Sequence, residues 1–197
     1  MSADDKTARV LQHRRVYEGR VISLDVDEVS EPGDVRGTRE VVRQPGSVAA
    51  LPVLDDGRIV LVRQYRYAVA DFVWELPAGR RDHGETPEAG ARRELEEEVG
   101  LRAGALEPIL TFWTTPGFCD EVMHLFRATS LTEVPARPEA DERIEAARFS
   151  LDEAMAMLAR GEIREGKTLV ALLFEQTRRT GGLGGKAPQN KKVRSGP

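Results

Sequence analysis

Apolar residues concentrate in the first half of the chain after Ser47, where Val48-Ala-Ala-Leu-Pro-Val-Leu54 and Ile59-Val-Leu-Val62 flank Asp55-Asp56-Gly57. Strands this continuously apolar are buried on both faces, and the glycine turn between them predicts a hairpin. Upstream, Arg20 to Val26 alternates imperfectly, which puts Ile22, Leu24 and Val26 on one face. Glu31-Pro-Gly-Asp34 reads as a turn and Thr38 to Val42 as the returning strand, so residues 20–43 are predicted as an antiparallel ribbon. The polar first dozen residues are predicted to fray. A two-stranded ribbon cannot bury itself, so it must pack on the main domain or on a second subunit.

Phe72 to Leu76 is a further short strand that continues through Pro77-Ala78 into a helical stretch. Thr86 is its predicted N-cap, Pro87 its first residue and Gly100 its stop, with Leu95 and Val99 on the buried side. Ala105 to Thr114 and Val122 to Thr129 are predicted strands separated by a loop over 115–121, and Glu133 to Glu142 is a loop dense in Pro and acids. Arg143 to Phe149 forms the last strand. Ser150 with Glu153 makes a capping box for a helix that Gly161 stops, and a final helix runs from Thr168 to Arg178. The Gly-rich, basic remainder is predicted disordered. This order predicts an α/β sandwich with helices on opposite sides of a mixed sheet over 47–180, an N-terminal β extension over 1–46 and a tail over 181–197.

Composition narrows the function. The 197 residues suffice for one domain with a small extra lobe. The net charge of −4 includes an acid-free tail with Lys186, Lys191, Lys192 and Arg194, so the folded body is more acidic than the total. Such a body does not attract nucleic acid or anionic membrane, and a phosphate-rich ligand must be held by a metal and a few placed arginines. The single Cys119 excludes an intramolecular disulfide and fits a packed thiol in a reducing cytoplasm. No apolar run approaches the roughly 20 residues of a membrane helix, nor is there a signal-peptide core. His13, His83 and His124 lack zinc-type spacing.

The candidate chemistry lies in Gly79 to Leu101, GRRDHGETPEAGARRELEEEVGL, with six glutamates between Glu85 and Glu98. On a helix, Glu94 and Glu98 stack one turn apart and Glu97 joins them from the i+3 direction. Carboxylates so close repel unless a cation neutralises them, and hard oxygen ligands suit Mg²⁺, with Mn²⁺ as the alternative. The competing reading is a solvated acidic face. Spacing decides: Gly79, five residues, Glu85, seven residues, Arg93-Glu94-Leu95, one residue, Glu97-Glu98, one residue, Gly100-Leu101. This resembles the Nudix box at every defined position, which implies the Nudix α/β/α fold and metal-dependent hydrolysis of a pyrophosphate bond.

By this resemblance, Glu94 and Glu98 are the principal metal ligands and the Ala78 carbonyl is another, Glu97 is either a further ligand or a carboxylate supporting them, Glu85 supports them from behind, and Arg93 orients the cluster through an ion pair with Glu97. The catalytic base in the ADP-ribose branch of the family comes from a downstream acidic loop, here Pro138-Glu-Ala-Asp-Glu142, which implies Glu142 first and Glu139 second. Pro116, 15 residues after Leu101, together with Trp74-Glu-Leu-Pro-Ala-Gly79 and Gly117-Phe-Cys-Asp-Glu121, is similar to the ADP-ribose pyrophosphatase subfamily. Carried over residue by residue, Arg66 holds the diphosphate, Glu121 accepts from ribose hydroxyls, and Val21 and Arg43 line the base pocket of a homodimer. The pattern departs from the subfamily at Arg20-Val21-Ile22, where an aromatic residue often stacks on the base.

The resulting expectation is a cytoplasmic, homodimeric, Mg²⁺-dependent hydrolase of ADP-ribose. Hydrolysis of another nucleoside diphosphate sugar is the near alternative. A non-catalytic nucleotide sensor is the distant one, and the intact set Glu85, Glu94, Glu97 and Glu98 argues against it.

Overall fold

The computed structural model describes residues 7–137 and 143–182. In chain order the elements are β1 (Arg9–Glu18), β2 (Ser23–Glu31), β3 (Val35–Arg43), β4 (Ser47–Pro52), β5 (Ile59–Arg66), β6 (Asp71–Glu75), β7 (Ala78–Arg80), α1 (Pro87–Val99), β8 (Leu101–Trp113), β9 (Val122–Glu133), β10 (Glu145–Phe149), α2 (Leu151–Ala159) and α3 (Gly166–Arg179). They divide into two compact units, one holding the described residues up to Gly46 together with Trp113–Val122, the other holding Ser47–Phe112 and the described residues from Met123 onward.

In the larger unit, every residue of β4 is buried. Its alternation sorts the two faces: Val48 and Ala50 lie in clusters with Ala91 and Leu95 of α1, whereas Ala49 and Leu51 enter the main core with Leu151, Ala154, Ala171 and Leu172 of α2 and α3. Helices therefore cover opposite faces, as an α/β sandwich requires. The four-stranded sheet runs β7-β4-β9-β8 and is mixed, because β4 is parallel to β9 and antiparallel to β7. A second, antiparallel sheet runs β10-β5-β6.

This second sheet corrects the hairpin expectation. The turn after Leu54 forms, with Leu54 N–H to Arg58 C=O at 2.8 Å and a single bridge from Val53 to Ile59. The strands then part, because β4 is flanked by β7 and β9 while β5 is flanked by β10 and β6, so neither offers the other an edge. Pro52, without an N–H, closes the β4 ladder.

The smaller unit is a three-stranded antiparallel sheet, β1-β2-β3, and not the two-stranded ribbon expected. Residues 9–18, of which those up to 12 were expected to fray and the rest were given no element, form an edge strand whose residues are all exposed, which is why burial periodicity did not reveal it. The turn over 32–34 is as expected, with Gly33 and Asp34 at φ 79° and 58°. Ile22, Leu24 and Val26 do alternate together, but none of them is buried; Asp25, Asp27 and Val29 on the other face are, joined by Ser30 near the strand end. The acids tolerate burial because each is paired: Asp25 with Arg15 and Arg43, Asp27 with His13 and Arg43.

Candidate active site

The helix expected to carry the chemistry forms with the expected ends. Thr86 accepts from the Ala89 N–H at 3.2 Å, Pro87 opens the first turn, and Gly100 closes the helix at φ 62°. Leu95 is fully buried, which stabilises this docking by about 2 kcal/mol. With Leu95 facing inward, the same helix brings Glu94 and Glu98 to its buried border, 8% and 6% exposed, while Glu97 stays more open.

Arg93 is the hub of this surface. Its Nη1 donates to Glu94 at 2.7 Å and to Glu97 at 2.9 Å, and its Nε and Nη2 donate to the two oxygens of Glu85, each at 3.1 Å. Nη2 also reaches the Arg80 carbonyl at 3.0 Å, tying the helix to β7. The bond to Glu85, with added charge from Glu94, holds the guanidinium well above its ordinary pKa even though burial opposes it. Conversely, the Arg93 bond holds the Glu85 carboxyl below the usual carboxylate range. Glu85 also accepts from the Asp82 N–H at 3.1 Å, which fixes the loop entering the helix.

Two glycines make room for these carboxylates. A Cβ on Gly79 would overlap the Glu94 carboxylate, and one on Gly90 would come within 2.8 Å of Glu85 Oε2. On the far side, the Ala78 N–H donates to Glu98 at 3.1 Å, so the peptide carrying the candidate carbonyl ligand is tied to a candidate carboxylate ligand. Among the described residues, no three His, Cys, Asp or Glu side chains converge into a ready-made metal cluster. The donor set still suits a hard divalent cation: Glu94, Glu97, Glu98 and the Ala78 carbonyl supply only oxygen, and one guanidinium, that of Arg93, is shared among Glu85, Glu94 and Glu97.

Arg66 leads away from the box. Its Nε and Nη2 grip both oxygens of Glu75 at 2.7 and 2.8 Å, and Lys167 Nζ meets the same carboxylate at 2.8 Å. Burial works against the Arg66 charge, but the Glu75 bond and the charges of Glu75, Glu98 and Glu165 outweigh it and raise the pKa. Arg66, Glu75 and Lys167 line a cleft of about 450 Å³ with Phe72, Val73 and Glu165. Sequence reasoning missed Glu75 and Lys167 as partners. The only signal for Glu75 was its place in Trp74-Glu75-Leu76-Pro77-Ala78-Gly79, and Lys167 carried none.

The remaining candidates lie in the smaller unit. Arg43, expected to line a base pocket, donates to Asp25, Asp27 and Asp120, and Asp120 also accepts from the Gln44 N–H at 3.1 Å. These bonds fasten the 113–122 loop to β3, reinforced by Val42 N–H to Phe118 C=O at 2.8 Å. The loop presents Pro116 at the surface and Glu121, which accepts from Thr114 Oγ1 at 2.7 Å. Val21 is exposed. Cys119 is half-buried, and burial pushes its thiol pKa up. Glu139, Glu142 and the tail from residue 183 lie outside the described residues.

Comparison with known proteins adds to this geometry. The sequence pattern of the NUDIX domain matches residues 43–172. The chain is 37% identical over 177 residues to the ADP-ribose pyrophosphatase of Bacillus subtilis (strain 168), covering 89% of this chain and 94% of that one. It is 38% identical over 170 residues to the ADP-ribose pyrophosphatase of Mycobacterium tuberculosis (strain ATCC 25618 / H37Rv), covering 84% and 82%. The fold superimposes on the crystal structure of an ADP compounds hydrolase with a TM-score of 0.77 at 23% identity, over 90% of this chain and 97% of the other.

Proposed function

The chain belongs to the NUDIX domain family, and on that premise we propose that it hydrolyses the diphosphate bond of ADP-ribose to give AMP and ribose 5-phosphate. The observation that carries the proposal is the Arg93 hub, which presents Glu94 and Glu97 beside Glu98 and the Ala78 peptide. The choice of substrate leans on the two ADP-ribose pyrophosphatases, which this chain matches over most of their length.

Glu94, Glu97, Glu98 and the Ala78 carbonyl would hold Mg²⁺, or Mn²⁺ in its place. A bound cation of this kind neutralises phosphate oxygens and makes a coordinated water more acidic. Arg93 keeps three of the acids in register, a task suited to a planar fork with five N–H donors. Arg66 grips the diphosphate, for which a guanidinium edge is matched. Glu142, with Glu139 second, takes the proton from the attacking water. Glu121 accepts from ribose hydroxyls, and Val21, Arg43 and Pro116 shape the base end, with Arg43 acting by fastening the loop that carries Pro116 and Glu121.

The homodimer is part of the same proposal. The edge strand β1 exposes Val10, Leu11, Val16 and Tyr17, and an exposed apolar edge is a surface for association. Light scattering on the eluted protein should give twice the chain mass. The lone Cys119 supports a reducing, cytoplasmic setting.

The deciding assay offers ADP-ribose, NADH, diadenosine polyphosphates and several nucleoside diphosphate sugars, each with Mg²⁺, with Mn²⁺ and with EDTA. Metal-dependent AMP release, fastest from ADP-ribose, is the expected result. Preference for GDP-mannose or UDP-glucose would overturn the substrate and leave the mechanism. Glu142→Gln should retain metal binding and lose at least about a hundredfold in turnover.

A further inference from the structure

The start of α3 grips the strand exit that feeds the box at two successive points. Lys167 Nζ meets Glu75 at 2.8 Å, and the Leu76 N–H donates to Thr168 Oγ1 at 2.9 Å. Thr168 is fully buried, Glu75 is 1% exposed and Lys167 9%. Two residues further, the Ala78 N–H is bonded to Glu98.

Charge accounting shows what Lys167 can and cannot do here. It is bonded to Glu75 and lies 3.2 Å from Glu165, so two acids answer the two cations Arg66 and Lys167. Its charge is committed, which makes it a poor direct ligand for an incoming anion. Its effect must pass through Glu75. Arg66 takes both oxygens of that carboxylate with Nε and Nη2, so the plane of the carboxylate sets the plane of the guanidinium. Burial alone would raise the Glu75 pKa, but the Arg66 bond and the Lys167 charge bring it below the usual range, so the carboxylate is charged at neutral pH. A buried charge pair is weak in stability terms compared with apolar packing of the same volume, and fixing a geometry is the role best suited to it.

We propose that Lys167 is a positioning residue for substrate: by holding Glu75 Oε2, the same oxygen that takes Arg66 Nη2, it fixes the carboxylate and with it the guanidinium edge that Arg66 presents to the diphosphate. The proposal rests on Arg66 as the diphosphate grip. Lys167→Met frees Glu75 to swing with Arg66 and misaligns that edge, which weakens substrate binding more than it slows the bond cleavage at the box.

A double-mutant cycle tests it on the nucleotide sugar that the wild type cleaves fastest. Lys167→Met should raise KM about tenfold with kcat within about twofold, and Lys167→Arg, which keeps the ion pair, should recover most of the loss. Arg66→Met should raise KM at least as much, and the double variant should be no worse than Arg66→Met, since Lys167 acts through Arg66. Multiplying effects, or an unchanged KM in Lys167→Met while Arg66→Met raises it, would overturn the positioning role and leave the Arg66 reading intact. An unchanged KM in Arg66→Met would instead remove the diphosphate grip and the proposal with it. Thermal melting accompanies each variant. If Lys167→Met does not fold, Lys167→Gln, which removes the cation that holds Glu75, takes its place in the cycle with the same outcomes expected.

Discussion

At Gly79 stability and turnover should part at the level of one atom. The three atoms nearest a Cβ there all belong to the end of the Glu94 side chain, a flexible group that can move aside. The cost of Gly79→Ala therefore falls on the position of the carboxylate and not on the backbone. Unfolding in urea should change by less than about 1 kcal/mol, while turnover under saturating metal should fall about a hundredfold. Equal losses in both would show that the glycine serves the fold. Arg93→Lys makes the complementary point: an ammonium has no rigid fork, so it cannot hold Glu85, Glu94 and Glu97 together, and turnover should fall by at least about tenfold while the helix persists. The nearness of Arg93, Glu94 and Glu97 was legible in the sequence because one helical period fixes their spacing, whereas Gly79 and Glu85 lie outside the helix and were singled out only by the resemblance to the Nudix box. Glu75 and Lys167 were not, because 92 positions separate them and no periodicity links the two. Asp25 and Asp27 misled for a related reason, since a buried acid is recognisable only once its arginine, 10 to 18 positions away, is known.

Among the elements, helix ends were read well and strand partners poorly. Caps are local: Thr86, Gly100 and the Ser150–Glu153 box each act within a few residues, and all form as expected. Pairing is non-local, so the two apolar runs around Gly57 looked like one hairpin although each finds its partners elsewhere. The strand β8 also begins at Leu101, directly after the helix, four residues earlier than expected. Gly100 is the joint that permits this, and it can be tested against a control. Gly84 and Gly100 both have positive φ, 79° and 62°, but a Cβ on Gly84 meets nothing, whereas one on Gly100 would lie 2.6 Å from the Val134 carbonyl. Gly84→Ala should cost about 1 kcal/mol, for the left-handed backbone alone. Gly100→Ala should cost at least about 2 kcal/mol, because backbone must also shift. Chemical unfolding of the two variants side by side measures the difference, and equal costs would show that the segment at Val134, just after β9, yields freely.

For the whole molecule, the acid limit of stability is set by carboxylates buried among cations, and Glu175 is the clearest. It is fully buried on α3, where it accepts from Arg178 at 2.7 and 2.8 Å, Arg179 at 2.9 Å and Arg127 of β9 at 3.1 Å, and Arg179 in turn reaches the Gly57 carbonyl. One carboxylate thus links a terminal helix, a central strand and the turn before β5. Burial would raise its pKa, but the Arg178 and Arg179 bonds and the Arg127 charge bring it down to about 2 from an ordinary 4.5. A depressed folded pKa means that the unfolded chain takes up the proton first as pH falls. The stabilisation is complete above the unfolded value of 4.5 and is lost between there and about 2, a change on the order of 3 kcal/mol. Glu75 is shifted in the same direction and adds to the effect. Glu175→Gln removes the charge at every pH, so its deficit against the wild type should be largest near pH 7, unchanged down to about pH 5, and shrinking as acid protonates the wild-type group. Urea unfolding of both proteins at pH 7, 5 and 3.5 measures this directly. A deficit that stays constant to pH 3.5 would mean that Glu175 contributes through shape and hydrogen bonding alone, and that other groups set the acid limit of the fold.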